Sequence, residues 1–179
     1  ELRAGLAEVI KHAAICDMAY FMWLEENMQF LLDKDSEALA YAIRRSCEIK
    51  AAVVAEDERE AGRRAILNFG HTFGHAIEHC LGYGRWLHGE AVAVGMIMAA
   101  QLSDIDSADI ARLQSLIAAA GLPIDAPQIE PEDWLSAMGM DKKVQQKRLR
   151  FVLLKALGDS HVTSSFDESR LHGVLGVVG

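Results

Sequence analysis

The sequence is poor in the residues that build cross-linked or membrane-embedded folds. It has three cysteines among 179 residues, and because they lie far apart and form no CxxC pair, neither a disulfide framework nor a cysteine zinc site is predicted. No apolar run approaches the roughly 18 residues that a membrane span needs. A reduced, cytoplasmic protein without a membrane partner is therefore expected.

Basic residues are also scarce. Lys and Arg number 18 against 26 Asp and Glu, which gives a formal net charge of -8. Nucleic acid binds to a concentrated basic face, so it is not expected as a partner. A small anionic ligand would need a local group of Lys and Arg side chains that overcomes this acidic average.

Two further absences concern domain organisation. The chain has no GxGxxG motif and no alternation of strands and helices, so no dinucleotide-binding fold is predicted within it. It begins with Glu1 rather than Met and shows no charged-then-apolar leader, so we expect it to be part of a longer protein. Residues 1–179 are predicted to form a single domain.

Hydrophobic residues make up 51% of the sequence and recur mostly at helical spacing, which predicts a mainly α, bundle-like domain. Helices are predicted over residues 3–15, 18–32, 37–57, 68–79, 89–102 and 107–120, near Trp134 and after Asp167. The helix at 89–102 is apolar nearly all round, which is typical of a buried central helix. Strands at 149–154 and 161–164 predict a small β-hairpin near the C-terminus.

The third predicted helix carries two specific expectations. Ser36 is expected to cap its first turn, because a serine hydroxyl can accept hydrogen bonds from the free backbone amides there. One apolar stripe is predicted to comprise Leu39, Ile43, Cys47, Ala51 and Val54.

Three histidines and one glutamate suggest a metal site. His71 and His75 are four residues apart, so both imidazoles lie on one helix face and can share a metal ion, although such a pair is more often only a polar face. His88 follows a Gly-rich turn that can direct it back at the same helix. Catalytic zinc sites often use two His and one carboxylate. Glu8 offers that carboxylate.

The remaining charged candidates are ambiguous by spacing alone. Glu8 and Lys11 are neighbours on one helix face, where an ordinary surface ion pair is the alternative to a functional role. Lys50 and Arg64 would by default be solvated cations. The other histidines are expected to be surface or structural residues, namely His12, His79, His161 and His172.

Four segments of the sequence resemble the C-terminal domain of the 3-dehydroquinate synthase family. They are GLAEVIK at 5–11, NFGHTFGHAIE at 68–78, LHGEAV at 87–92, and DKK at 141–143 followed by FVLL at 151–154. They occur in family order with family-like spacing and span nearly the whole chain. The resemblance implies the helical second domain of a two-domain enzyme, whose N-terminal NAD-binding domain is absent from this sequence.

The resemblance also implies residue roles. A divalent metal, zinc or cobalt, would be held by Glu8, His71 and His88, whereas His75 would face the substrate instead of the metal and suit proton transfer, a role that the substrate's own phosphate could also fill. The implied substrate pocket comprises Lys11, Lys50, Arg64, Asn68 and His75, with Glu60 orienting them and one of Lys142 and Lys143 reaching in.

The activity implied by the resemblance is a phosphate-eliminating lyase reaction of the shikimate pathway of aromatic amino acid biosynthesis. It converts 3-deoxy-D-arabino-heptulosonate 7-phosphate to 3-dehydroquinate and phosphate, with NAD bound mainly by the other domain. This phosphorylated sugar acid would explain the local cations. A homodimer is implied for the full-length enzyme, and the isolated fragment is expected to be inactive.

Three alternatives stay open at this point. Another sugar-phosphate cyclase would use the same kind of site on a different substrate. A metal-dependent polyol dehydrogenase would not need phosphate-binding cations, so Lys50, Arg64 and the Lys142-Lys143 pair favour a cyclase. A helical interaction module with incidental histidines would bind no metal.

The segment 102–107 looks shorter than in members of the family.

Overall fold

The computed structural model describes residues 1–56, 62–82, 84–139 and 149–176. Within these ranges the helices are α1 Leu2–Cys16, α2 Met18–Leu32, α3 Ser36–Glu56, a 3-10 helix Arg63–Asn68, α4 His71–Leu81, α5 His88–Leu102, α6 Ser107–Ala119, α7 Pro131–Ala137 and α8 Glu168–Val174. The strands are β1 Phe151–Ala156 and β2 Asp159–Thr163. The predicted helical class with a C-terminal hairpin is therefore confirmed.

α5 is the central helix of the fold. It packs against α1, α4, α6, α8 and β1, and nearly all of its side chains from Ala91 to Leu102 are buried. A helix that is apolar all round is stable only if every face is shielded from water, because exposed apolar surface is unfavourable. The surrounding elements therefore cover it on all sides. The sequence-based expectation of a buried central helix is confirmed.

Two glycines let the backbone of α5 approach its neighbours unusually closely. A Cβ atom added at Gly89 would collide with the carbonyl oxygen of Ala4 in α1, and one added at Gly95 would collide with the carbonyl oxygen of Gly70 at the start of α4. Only glycine fits at these contacts. They fix the distance between the three helices that carry the candidate metal ligands.

The β-hairpin closes the C-terminal end of the core. β1 and β2 pair antiparallel, with Phe151 opposite Thr163 and an irregularity between Leu154 and Ala156. The amide of Leu154 donates to the Ser103 hydroxyl after α5 (2.9 Å), and the Ser160 hydroxyl donates to the Ile15 carbonyl of α1 (2.9 Å). These bonds tie the hairpin to the two helices beneath it.

The predictions for α3 are wrong in two details. Asp35, not Ser36, caps the helix, since its Oδ1 accepts from the amides of Glu37 (3.1 Å) and Ala38 (2.9 Å). The buried face is also different: Leu39 and Val54 are only partly buried, Ile43, Cys47 and Ala51 are exposed, and the buried residues are Ala38, Ala42, Ser46, Ile49 and Val53.

Tyr20 of α2 explains which face of α3 is buried. Its side chain is 1% exposed, and its hydroxyl donates to the carbonyl oxygen of Ala42 (2.9 Å) and lies 3.1 Å from the Ser46 hydroxyl. A buried tyrosine needs partners for its polar tip. Small residues at Ala42 and Ser46 let the ring come close, which the larger Ile43 would not.

The predicted helix at 68–79 is interrupted. Asn68 ends the 3-10 helix, and α4 begins only at His71 after Gly70, which has a φ of 79°. A left-handed residue breaks the regular helical path. Asn68 therefore does not share a helix with His71 and His75, and this part of the prediction is wrong.

We expect Gly95→Ala to lower the free energy of unfolding by about 1–3 kcal/mol, because the new methyl group meets backbone that cannot move aside cheaply. Helix propensity alone would favour alanine by about 1 kcal/mol, so the collision must exceed that gain. The matched control is Gly5→Ala in α1, where the added Cβ meets nothing within 4 Å. Urea denaturation of both variants checks this, and equal stabilisation by the two substitutions would contradict the packing account.

Candidate metal centre

Three helices bring one candidate ligand each to a common point. Glu8 lies within α1, His71 is the first residue of α4, and His88 is the first residue of α5. One ligand atom from each of the three lies within 4.8 Å of the others. The contact between Gly89 and Ala4 explains this, since Glu8 follows Ala4 by about one helical turn on the same face.

His71 is held in one tautomer. Its Nδ1 lies 3.2 Å from the carbonyl oxygen of Phe69, and because a carbonyl oxygen can only accept, Nδ1 carries the proton. The lone pair is then on Nε2, which lies 3.9 Å from Glu8 Oε1. That distance is too long for a hydrogen bond. Nε2 is therefore free to bind an ion between the two side chains.

Glu8 has one oxygen engaged and one unpartnered. Lys11 Nζ donates to Oε2 at 2.6 Å, whereas Oε1 is buried without a hydrogen-bond partner among the described residues. The Lys11 side chain is only 4% exposed, so the pair is not the ordinary surface ion pair considered as an alternative. A buried carboxylate oxygen without a partner is costly, and a bound cation would remove that cost.

The electrostatics of the cluster suit a divalent cation. Burial by itself would raise the pKa of Glu8, but the charge of Lys11 and its hydrogen bond lower that pKa below its ordinary value. Burial, and then the charge of Lys11, lower the pKa of His71. An ionised carboxylate and a neutral imidazole are the forms that bind metal. The donor set therefore fits a divalent ion.

His88 and His75 complete a group of three imidazoles. The ring centres of His71 and His88 lie 5.3 Å apart, those of His71 and His75 5.5 Å, and those of His75 and His88 6.0 Å. A second set, His75, Glu78 and His88, also has its ligand atoms within 4.8 Å of one another. The distances among the described residues are therefore compatible with two arrangements. In one, His75 lies beside the ion without binding it, and in the other His75 is a ligand.

The described cations predicted for the substrate pocket lie on three elements, α1, α3 and the 3-10 helix. Burial lowers the pKa of Lys11, Glu8 opposes that shift, and the positive charge of Lys50 on α3, a helix that packs against α1, lowers the pKa further. Arg64 and Asn68 of the 3-10 helix line a cavity of about 260 Å³ together with Ala65 and Leu67. That 3-10 helix packs against α1 and α3.

Three predicted site residues, Glu60, Lys142 and Lys143, lie outside the described residues.

Two residues near the cluster, His12 and Glu78, were not part of the site predicted from the sequence. His12, expected to be a surface or structural residue, is 7% exposed, and burial together with the charge of Lys11 lowers its pKa to about 4. Glu78 Oε1 lies 3.1 Å from His88 Nδ1, and the only signal for it was its position seven residues after His71.

A mainly helical domain with two histidines, one glutamate and nearby lysines at the meeting of three helices defines a candidate metalloenzyme domain. Residues 5–144 match the family 3-dehydroquinate synthase C-terminal. The match covers well over half of the chain, and the chain belongs to this family.

Individual relatives agree with this assignment. The 3-dehydroquinate synthase of Acinetobacter baumannii (strain AYE) is 56% identical over an alignment of 171 residues, and the match covers 93% of this chain and 48% of the relative. That of Saccharophagus degradans is 55% identical over an alignment of 184 residues, and the match covers 100% of this chain and 51% of the relative. The chain thus spans about half the length of the curated relatives that it matches.

Solved structures share the fold. A 2-epi-5-epi-valiolone synthase from Streptomyces hygroscopicus, solved with NAD+ and Zn2+, matches 97% of this chain and 50% of its own with a TM-score of 0.84 at 23% identity, which shows the fold alone. A 2-deoxy-scyllo-inosose synthase, complexed with carbaglucose-6-phosphate, NAD+ and Co2+, matches 97% of this chain and 51% of its own with a TM-score of 0.75 at 26% identity. Among the described residues of this chain, no helix is long and apolar enough to span a membrane.

We expect Glu8→Gln, His71→Ala and His88→Ala each to abolish stoichiometric zinc binding, because each removes one of three ligands. Glutamine at position 8 still accepts from Lys11, so the buried ammonium keeps a partner. His75→Ala should retain zinc, and His172→Ala on α8 serves as the control for an exposed histidine. Zinc content after dialysis, with circular dichroism to confirm folding, measures this. Loss of zinc in His75→Ala would instead favour the second set of ligands.

Proposed function

We propose that this chain is the metal- and substrate-binding half of a 3-dehydroquinate synthase. The reaction is the conversion of 3-deoxy-D-arabino-heptulosonate 7-phosphate to 3-dehydroquinate and phosphate, in the shikimate pathway. The observation that carries the proposal is Glu8 Oε1, which is buried with no hydrogen-bond partner among the described residues and lies 3.9 Å from Nε2 of His71, in a chain of this family.

Glu8, His71 and His88 would hold the metal ion. Zinc and cobalt both accept two imidazoles and one carboxylate, and the related cyclases solved with Zn2+ or Co2+ support this choice. When bound, the ion would polarise hydroxyl and carbonyl oxygens of the substrate as a Lewis acid.

The cations would bind the two anionic groups of the substrate. Lys11 is held in place by Glu8 at 2.6 Å, and the exposed Lys50 of α3 contributes a second positive charge that lowers the pKa of Lys11. Two positive charges repel each other, so a carboxylate or phosphate that both contact would be favoured. Arg64, which lines the cavity at the 3-10 helix, has a planar guanidinium fork that matches a phosphate. One of Lys142 and Lys143 would add a further charge, and Glu60 would orient the cations.

His75 and Asn68 would act on the reacting part of the substrate. The exposed His75 side chain lies beside the candidate metal ligands, with its ring centre 5.5 Å from that of His71. An imidazole can accept and return a proton near neutral pH. We propose that it does so at a substrate hydroxyl or carbon, together with the substrate's own phosphate as a proton acceptor. Asn68 can both donate and accept hydrogen bonds.

The whole enzyme would need more than this chain. We propose that NAD binds mainly to an N-terminal domain in the part of the relatives that this chain does not span, so that the chain alone is inactive. Neighbouring cyclases solved with NAD+ support an NAD requirement. We further propose a cytoplasmic homodimer for the full-length enzyme.

Another sugar-phosphate cyclase is the second candidate. The structural likeness to 2-deoxy-scyllo-inosose synthase supports it, and the same cations would bind another sugar phosphate. The 26% identity to that enzyme against 56% to a 3-dehydroquinate synthase favours the latter. A polyol dehydrogenase would not explain Lys11, Lys50 and Arg64, and an interaction module would not explain the unpartnered oxygen of Glu8.

Phosphate release tests the proposed reaction. The chain is assayed with NAD and zinc both alone and joined to the remaining half of the Acinetobacter baumannii relative, with that relative itself as the positive control. We expect the joined protein to release phosphate from 3-deoxy-D-arabino-heptulosonate 7-phosphate and the chain alone to release none. Faster turnover of another sugar phosphate by the joined protein would favour the second candidate.

In the same assay, we expect Lys50→Met to lower kcat/KM by about 10–100-fold, since a hydrogen bond to a charged group contributes about 1.5–3 kcal/mol. The loss should be mainly in KM, because a phosphate or carboxylate is bound in both ground and transition states. Lys155→Met, on the exposed side of β1, is the matched control and should leave both parameters unchanged. A Lys50→Met enzyme with normal KM would contradict the assignment of Lys50 to the pocket.

A further inference from the structure

Glu78 lies on the same face of α4 as the two histidines. It is seven residues after His71 and three after His75, so the three side chains form one row along the helix. The row points at the first turn of α5, where His88 begins the helix. Glu78 Oε1 lies 3.1 Å from His88 Nδ1. Since an ionised carboxylate only accepts, the imidazole donates this hydrogen bond.

The rings of His71 and His88 are restrained to different degrees by the surrounding protein. The His71 side chain is 15% exposed, and the carbonyl oxygen of Phe69 fixes its ring. The His88 side chain is 50% exposed and follows a Gly-rich turn, so packing restrains its ring far less. The carboxylate of Glu78, which is 15% exposed, does for His88 what the Phe69 carbonyl does for His71.

We propose that Glu78 is a positioning residue that orients His88 for metal binding. By accepting a hydrogen bond from Nδ1–H, it selects the tautomer whose Nε2 lone pair is free to turn toward Glu8 and His71. A carboxylate behind a ligating imidazole also makes that ligand more basic. The inference rests on the proposed metal site and adds a residue outside its ligand set.

The competing role for Glu78 is direct ligation, together with His75 and His88, whose ligand atoms also lie close together. Glu78 Oε1 accepts a hydrogen bond from Nδ1–H of His88. A metal ion could bind to His88 Nδ1 only if that proton left. Both histidines of that set are exposed, whereas Glu8 offers a buried oxygen that has no hydrogen-bond partner in the part of the chain that the structure describes. The geometry therefore favours the orienting role.

Titration of the chain with Co2+, followed by the visible absorption of the bound ion, tests this inference. Glu78→Met keeps the size of the side chain but removes the acceptor, and should weaken Co2+ binding by about 10–100-fold and alter the absorption spectrum. Glu78→Gln still offers an oxygen to Nδ1 and should recover most of the affinity. Glu26→Ala, at an exposed glutamate of α2, is the control.

Each outcome has a distinct meaning. Unchanged binding and spectrum in Glu78→Met would overturn this inference and leave the proposed function intact. An equal loss in Glu78→Met and His75→Ala would show direct ligation and also overturn it. Failure of the unaltered chain to bind Co2+ would overturn the proposed metal site and this inference together. If Glu78→Met does not fold by circular dichroism, the comparison of Glu78→Ala with Glu78→Gln decides instead.

Discussion

The close approach of α5 to α1 and α4 is the constraint on which the site depends. At Gly89 and Gly95 the backbone of α5 lies against carbonyl oxygens of its neighbours, with no space for a side chain. This contact brings the starts of α4 and α5 to the middle of α1. His71, His88 and Glu8 meet there because of it, so the core packing and the candidate site have the same cause.

Lys11, a cation in a chain that is acidic overall, is buried near that contact. Lys11 is almost fully buried, and its partner Glu8 is a candidate metal ligand. Burying an ammonium group costs free energy that one ion pair returns only in part. Such a residue is a poor choice for stability alone. Binding of an anionic substrate would account for its position, with Lys50 of α3 and Arg64 of the 3-10 helix as further cations.

Motif spacing predicted the membership of the cluster better than it predicted the roles within it. Glu8, His71 and His88 come together as the resemblance implied, and the close approach of α5 to α1 and α4 brings them there. Spacing could not separate His75 from the ligands, since it shares a helix face with His71. The ligand roles, and those of Glu60, Lys142 and Lys143, remain predictions.

Features that depend on tertiary contacts were not readable in the sequence. The buried face of α3 is selected by the hydroxyl of Tyr20 from a different helix, so apolar periodicity within α3 chose the wrong stripe. Gly70, at the break before α4, lies so close to Val92 and Met96 of α5 that a side chain would not fit there. His12 is buried beside Lys11 although its neighbours in sequence gave no sign of it. Glu78 contacts His88 across ten residues of chain, a pairing that only the fold defines.

Anomalous diffraction at the zinc edge from crystals of the zinc-loaded chain tests the central claim most directly, since it locates the ion without reference to activity. The account predicts one strong peak bounded by Glu8 Oε1, His71 Nε2 and His88 Nε2, with Glu78 still bonded to His88 Nδ1. A peak bounded by His75, Glu78 and His88 with Glu8 uninvolved, or no peak near α1, would contradict it.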